Sequence, residues 1–200
     1  VLACRAMPEP ARSERRMTIE EWAALPEDEP GELVDGRLEE EEVASWAHEI
    51  VVSWLIGAIR AWIVPRGGFV LGAETKLAVG PAKGRKPDVV VFFARSDLPP
   101  RRSSLTHAPP NIVIEVVTAT PRDARRDRVE KKPDYASFGV RQYWLIDPEA
   151  RTLEVLGRGE DGRFVELLAQ AEGSHAVPGC EGLEIDLDAL WAEVDRWPDA

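Results

Sequence analysis

Two short apolar runs constrain the fold more than anything else in the chain. Residues 88–93 read Asp-Val-Val-Val-Phe-Phe, and residues 112–117 read Ile-Val-Ile-Glu-Val-Val. β-branched and aromatic side chains favour a pleated backbone. Runs with almost no polar alternation fit strands covered on both faces. Such strands need helices above and below them, and the chain can supply these. Residues 45–64 are predicted to be helical. Glu49, Ser53, Gly57 and Arg60 form one narrow polar stripe among apolar neighbours, so this helix is expected to be buried over most of its circumference. Pro65 to Gly68 ends it. Thr18 to Glu21 has the pattern of a capping box opening a helix over 18–25. Asp35-Gly36 between Leu33-Val34 and Leu38 signals a hairpin. Further strands are expected at 69–72, 74–79 and 142–146, with a hairpin of 152–157 and 163–169 around Glu160-Asp161-Gly162. Residues 94–111 read as a Pro-rich loop, 122–138 as polar and partly helical, and 186–194 as a terminal helix. The expected class is α/β (α+β), a mixed central β-sheet flanked by helices, with an additional β-hairpin.

The 200 residues suffice for one domain, expected over 17–200, with 1–16 as a disordered tail. At 44% hydrophobic and 30% charged residues, the composition excludes collagen, coiled coil and wholesale disorder. Two cysteines, Cys4 and Cys180, make neither a disulfide framework nor a zinc site. With no sustained apolar run near the start, a soluble cytoplasmic location is expected. The longest apolar stretch, 50–64, contains Ser53 and Arg60 and stops at Pro65. That is too short for a bilayer span, so no membrane partner is expected. The net charge of −11 argues, taken whole, against nucleic acid. It is unevenly spread, however: −8 over residues 1–75, +6 over 76–151 and −9 over 152–200. Any site that handles anions belongs in the middle segment.

Each of the two apolar strands holds one acid. Asp88 opens the first and Glu115 sits inside the second, on one face with Val113 and Val117. A carboxylate in a buried strand costs several kcal/mol unless something pairs with it. Two on adjacent strands could share a hard divalent cation, Mg2+ or Mn2+. The plainer alternatives are that Asp88 caps a turn after Pro87 and that Glu115 pairs with an arginine. His48 shares a helix face with Val52, Leu55 and Ile59. It is read as a core residue, or else as lining a cleft beside Glu32 as a proton or phosphate contact. The run from 122 to 132 carries Arg122, Arg125, Arg126, Arg128, Lys131 and Lys132. With Lys83, Arg85, Lys86, Arg101 and Arg102 it could form a phosphate-contacting surface, or simply a solvated charge run. No helix-turn-helix, zinc finger or aromatic stacking platform is legible.

Glu32 to Gly36, His48, Pro87-Asp88, Ile114 to Val117, Asp127 to Lys131, Tyr135, Gly139-Val140 and Tyr143 to Pro148 occur in that order. The succession resembles the bacterial Uma-type family of putative restriction endonucleases, within the PD-(D/E)xK nucleases, over about 17–195. The resemblance implies a restriction-endonuclease-like core and Mg2+- or Mn2+-dependent hydrolysis of DNA phosphodiesters. Asp88 and Glu115 would hold the metal. Lys131 would orient the attacking water, and Glu32 would be an auxiliary acid. One position departs from the pattern. Where the usual motif has Lys two residues after the Glu, this chain has Val117, and Lys131 from the following helix is the expected substitute. The alternative for Lys131 is a surface pair with Asp127, one helical turn away. Pro133 would break a helix over 127–138 unless that helix effectively starts near it.

Metal-dependent endonuclease activity on DNA is therefore the leading expectation. The rival is a catalytically degenerate nuclease-fold protein that binds nucleic acid or a protein without cleavage. A third reading is an oligomeric assembly protein using Trp62, Trp144 and Trp191 as interface anchors. Cutting both strands is easiest with two sites, so a homodimer or higher homo-oligomer is expected by analogy.

Overall fold

A computed structural model describes residues 16–26, 31–40, 43–93, 98–118 and 120–198. The tail expected over 1–16, apart from its last residue, lies outside them, as do Cys4 and Glu41-Glu42. In chain order come α1 (Ile19–Ala23), β1 (Glu32–Val34), β2 (Arg37–Glu39) and α2 (Trp46–Ile63). Next are β3 (Phe69–Gly72), β4 (Lys76–Gly80), β5 (Lys83–Arg85), β6 (Val89–Phe92), β7 (Leu105–Thr106) and β8 (Ile112–Val116). α3 (Pro121–Arg125), a π-helical turn (Arg126–Glu130) and α4 (Lys131–Phe138) follow. The chain continues through β9 (Gln142–Asp147), β10 (Thr152–Arg158), β11 (Phe164–Gln170), β12 (Ser174–Ala176), β13 (Glu184–Asp186) and α5 (Leu187–Asp195).

The main sheet is mixed, in the order β11-β10-β9-β8-β6-β3. The two apolar runs lie at its centre as β6 and β8, antiparallel, with Val89 opposite Ile114. β8 and β9 are its parallel pair, joined by the crossover through α3 and α4. Every residue of β6 and β8 is buried. On one face Ile112, Ile114, Val116 and Trp144 pack against α2 and α5. On the other, Val90, Val113, Val117 and Tyr143 pack against Tyr135 of α4. Strand alternation thus sends Glu115 toward α4.

Local signals place several elements. Thr18 accepts the Glu21 N–H while the Glu21 carboxylate accepts the Thr18 N–H, closing the capping box. Asp35 and Gly36 both have positive φ, 49° and 80°, as a two-residue hairpin turn of this hand requires. Ser45 caps α2 by accepting the His48 N–H.

The structure corrects four expectations. α2 buries one face only, through His48, Val51, Val52, Leu55, Ile59, Trp62 and Ile63. Ile50, Trp54 and Ile56 are half-buried, because no layer covers the flanks of the buried stripe. With the short turn after it, Trp46–Arg66 is long and apolar enough to meet the length and composition of a membrane span, unlike the stretch 50–64 read alone. Its apolar face packs on the sheet. Residues 83–85 form a strand that sequence reading left out, and it joins a second sheet in the order β2-β1-β5-β4-β7. Finally, Trp62, Trp144 and Trp191 are 8%, 0% and 5% exposed. They are core residues and cannot anchor an interface. Cys180 is a buried free thiol.

Candidate active site

Asp88 lies one residue before β6, where the strand has just left Pro87. Its Oδ2 accepts the Val116 N–H at 2.7 Å, tying the start of one central strand to the end of the other. Its Oδ1 faces His48 Nε2 at 3.2 Å. His48 is 7% exposed on the core face of α2 and reaches Asp88, not Glu32, beside which the cleft reading put it. Its Nδ1 is 3.4 Å from Glu49 and makes no hydrogen bond.

Glu115 is 2% exposed. Its Oε1 accepts the Tyr135 O–H at 2.5 Å and lies 3.1 Å from Lys131 Nζ. Lys131 also meets Asp127 Oδ1 at 3.0 Å and Glu32 Oε1 at 3.6 Å. The lysine is thus a buried hub rather than a surface partner of Asp127. Pro133 does not turn it away. The π-helical turn runs into α4 without a break, Glu130 and Lys131 both keeping right-handed helical geometry, so Pro133 lies inside a continuous helical segment directly after the irregular π turn. Glu32 sits behind the lysine, fully buried, held by Arg85 at 2.8 Å and by the Lys86 N–H at 2.9 Å. Arg85 turns its other edge to Asp134, which also pairs with Lys83.

Burial dominates the electrostatics of this cluster. It pushes the Glu115 carboxyl well above the usual range, and Asp127, Asp88 and Glu32 add to the rise that Lys131 opposes. Asp127 is raised for the same first reason. Burial works against the Lys131 charge, but Glu115, Glu32 and Asp127 outweigh it and hold the ammonium well above its ordinary value. His48 is likewise raised, the carboxylates of Asp88 and Glu49 overcoming its burial. Burial and the nearby Glu115 keep Tyr135 a neutral donor.

Asp88, Glu115, Lys131 and His48 line one pocket of about 170 Å3, together with Asp127, Arg126, Lys86, Thr118 and Glu49. Four of the five residues singled out in the sequence therefore converge. Glu32 stands one layer behind, in contact with Lys131. Of the four arginines expected to meet phosphate, only Arg126 lines the pocket, where it also pairs with Glu39 at 3.1 Å. Arg122 is exposed, Arg125 pairs with Glu130, and Arg128 is tied to Asp147 and Glu154 on β9 and β10. Arg85, 2% exposed between two carboxylates, cannot serve a phosphate surface. Sequence reading placed Tyr135 in the family succession without a role and gave Asp127 only a surface pair with Lys131. Their spacing from Lys131, four residues on either side, is the signal that could have found both.

Among the described residues, no group of three or more His, Cys, Asp or Glu converges as a metal-ligand cluster. Asp88 and Glu115 both line the pocket and offer oxygen donors, the ligand type that hard divalent cations take, often as one or two carboxylates with several waters. The charge balance points the same way. Lys131 meets Glu32, Glu115 and Asp127, and burial first, then repulsion among the neighbouring carboxylates, raises Glu115 and Asp127.

The family model described as "Putative restriction endonuclease", Uma2, matches residues 18–190. Among solved structures, a putative nuclease of DUF820 from Anabaena variabilis ATCC 29413 superposes with a TM-score of 0.72 at 20% identity. The match covers 89% of this chain and 99% of that one, a likeness of fold. Comparison with curated proteins finds no match.

Proposed function

Because the chain belongs to the Uma2 family of putative restriction endonucleases, we propose that it is a nuclease hydrolysing DNA phosphodiester bonds with a divalent cation, Mg2+ or Mn2+. The observation that carries this reading is Lys131 Nζ, 3.1 Å from Glu115 Oε1 in the pocket that Asp88 also lines. The lysine missing at Val117 is replaced in space, so the sequence departure does not leave the site without its cation.

Asp88 and Glu115 would hold the metal, which when bound withdraws charge from the phosphate and acidifies a water. The chain's own groups do the rest. His48 and the Val116 N–H fix the Asp88 carboxylate from two sides. Tyr135 and Lys131 fix Glu115 from two more. Lys131 stays protonated, so it acts as an oriented donor and not as a base. Its charge sits where negative charge develops on the phosphate, and as a preorganised group in a buried site it pays little reorganisation during the reaction. Glu32 and Asp127 keep the ammonium in place. Arg126 and Lys86, both on the pocket wall, would meet the flanking phosphate oxygens.

The test is incubation of wild type and Asp88→Ala with single- and double-stranded DNA in Mg2+ or Mn2+. Cleavage by wild type alone supports the reading. Equal cleavage by both reports a contaminant, and no cleavage of any substrate returns the protein to the non-catalytic binding class.

A further inference from the structure

Lys131 is shared unequally among its carboxylates. Its Nζ lies 3.0 Å from Asp127, 3.1 Å from Glu115 and 3.6 Å from Glu32. Glu32 is the most deeply buried of the three. A buried carboxylate without a cation of its own draws the nearest one strongly, because attraction in a low dielectric is weakly screened. Glu32 nevertheless stands farthest from the ammonium, and Arg85 is the reason. Arg85 Nη1 donates to Glu32 Oε2 at 2.8 Å, which leaves the lysine facing only Oε1, where the Lys86 N–H already donates at 2.9 Å. Burial opposes the Arg85 charge, but Glu32 and Asp134 outweigh it.

Among the described residues, no other cation is placed to do this. Lys86 gives Glu32 only its backbone N–H, with its ammonium turned to Glu74 at 3.0 Å. Lys83 is turned to Asp134 at 2.9 Å and to Asp35 at 3.7 Å. The two carboxylates that Arg85 joins are therefore not equivalent. Asp134 has Lys83 as well, and keeps a cation if the guanidinium is lost. Glu32 is left with Lys131 alone, across a gap of 3.6 Å that a small shift closes to an ordinary hydrogen bond. That shift takes the ammonium away from Glu115 and from the pocket both of them line.

We propose that Arg85 is a positioning residue for Lys131: by neutralising Glu32 it leaves the ammonium on Glu115, facing the pocket. The kinetic consequence rests on the nuclease reading, whereas the placement of Lys131 does not. Arg85→Met, Arg85→Met/Glu32→Gln and Asp134→Asn are crystallised without metal and assayed on single- and double-stranded DNA with Mg2+ or Mn2+. In Arg85→Met, Lys131 should move into hydrogen-bond distance of Glu32 and leave Glu115. Its kcat should fall about hundredfold with KM little changed, the cost of a catalytic charge misplaced by ~1 Å. The double variant leaves no orphan carboxylate, so Lys131 should return to its 3.1 Å contact with Glu115 and most of the lost kcat should return with it. A plain clamp of α4 on the second sheet behaves otherwise, since both Arg85 variants lose the bond to Asp134 alike. Asp134→Asn removes that bond while Arg85 stays on Glu32, and should keep kcat near the wild-type value. Lys131 unmoved in Arg85→Met, Lys131 displaced equally in both Arg85 variants, or Asp134→Asn as damaging as Arg85→Met overturns the proposal. If Arg85→Met does not fold, the other two variants decide: Lys131 on Glu115 in both sustains the proposal, and its absence from Glu115 in either overturns it. If no form of the protein cuts DNA, the nuclease reading fails and the position of Lys131 in the crystals still decides this one.

Discussion

Lys131 is 4% exposed and in contact with three carboxylates, so its ion pairs cannot be read as ordinary stabilisation. Each buried charge forfeits several kcal/mol of hydration, and breaking one buried pair by removing a partner costs about 3–5 kcal/mol. The arrangement is a set of groups that only make sense together, as expected of a site kept for chemistry. Glu115 shows this through pH. Its folded carboxyl lies above the ordinary value of 4.5 because burial, Asp127, Asp88 and Glu32 outweigh Lys131. A folded state that binds a proton more tightly than the unfolded chain is stabilised by that proton. The gain is complete below the unfolded value and is lost as pH rises through the folded one. Glu115→Gln has no such proton. In metal-free protein, the melting temperature of wild type relative to Glu115→Gln should therefore rise as pH falls from neutral toward about 5. A wild-type advantage that shrinks on acidification would show that Lys131 wins the local balance.

At the level of elements, the second sheet is what brings Glu32 and Arg85 to Lys131, and it depends on a close approach. Gly84 of β5 lies under the ring of Trp22 from α1, and a Cβ there would meet that ring at 2.3 Å. Trp22 is 1% exposed and has its N–H bonded to the Gly31 carbonyl, so it has nowhere to go. Gly84→Ala should lose about 1–3 kcal/mol in urea unfolding. Combination with Trp22→Leu should be less than additive, since the overpacking vanishes with the ring. Full additivity would mean that the two sites do not touch. This contact also shows what sequence reading could reach. α1, the Asp35-Gly36 turn, α2, β6 and β8 were legible because each is set by a local signal: a cap, a turn dipeptide, a helical stripe, or a continuous apolar run. Asp88 and Glu115 followed, being polar residues placed where apolar ones belong. β5 was not legible, because Lys-Gly-Arg carries no strand pattern and forms one only by pairing with β1 and β4. The aim of Lys131 was hidden for a related reason. It depends on a π-helical turn, which has no periodicity of its own to read, and on tertiary contacts with Glu32 and Glu115.

For the whole molecule, the charge partition is sharper than the net charge but still overstates the basic surface. The middle segment is +6, yet Arg85 and Lys83 are consumed by Asp134, and Arg128 by Asp147 and Glu154. Arg126 and Lys86 line the pocket but are themselves paired, with Glu39 and Glu74, against an excess of carboxylates within it. Counterion release from so few phosphate contacts is modest, and the site's own acids repel the backbone. Without a divalent cation, DNA affinity should therefore be weak, at or beyond the ~10⁻⁴–10⁻⁶ M of non-specific binding, and should fall only shallowly with salt. A cation on Asp88 and Glu115 would invert the local field. In fluorescence anisotropy at fixed ionic strength, Ca2+ should tighten wild-type binding by about tenfold, or 1.4 kcal/mol. Asp88→Asn/Glu115→Gln, which removes both carboxyl groups that would hold the cation, should bind more tightly than wild type in EDTA and respond little to Ca2+. If wild type binds equally well with and without the cation, the carboxylates do not govern access of the phosphate, and the phosphodiester must be held elsewhere on the surface.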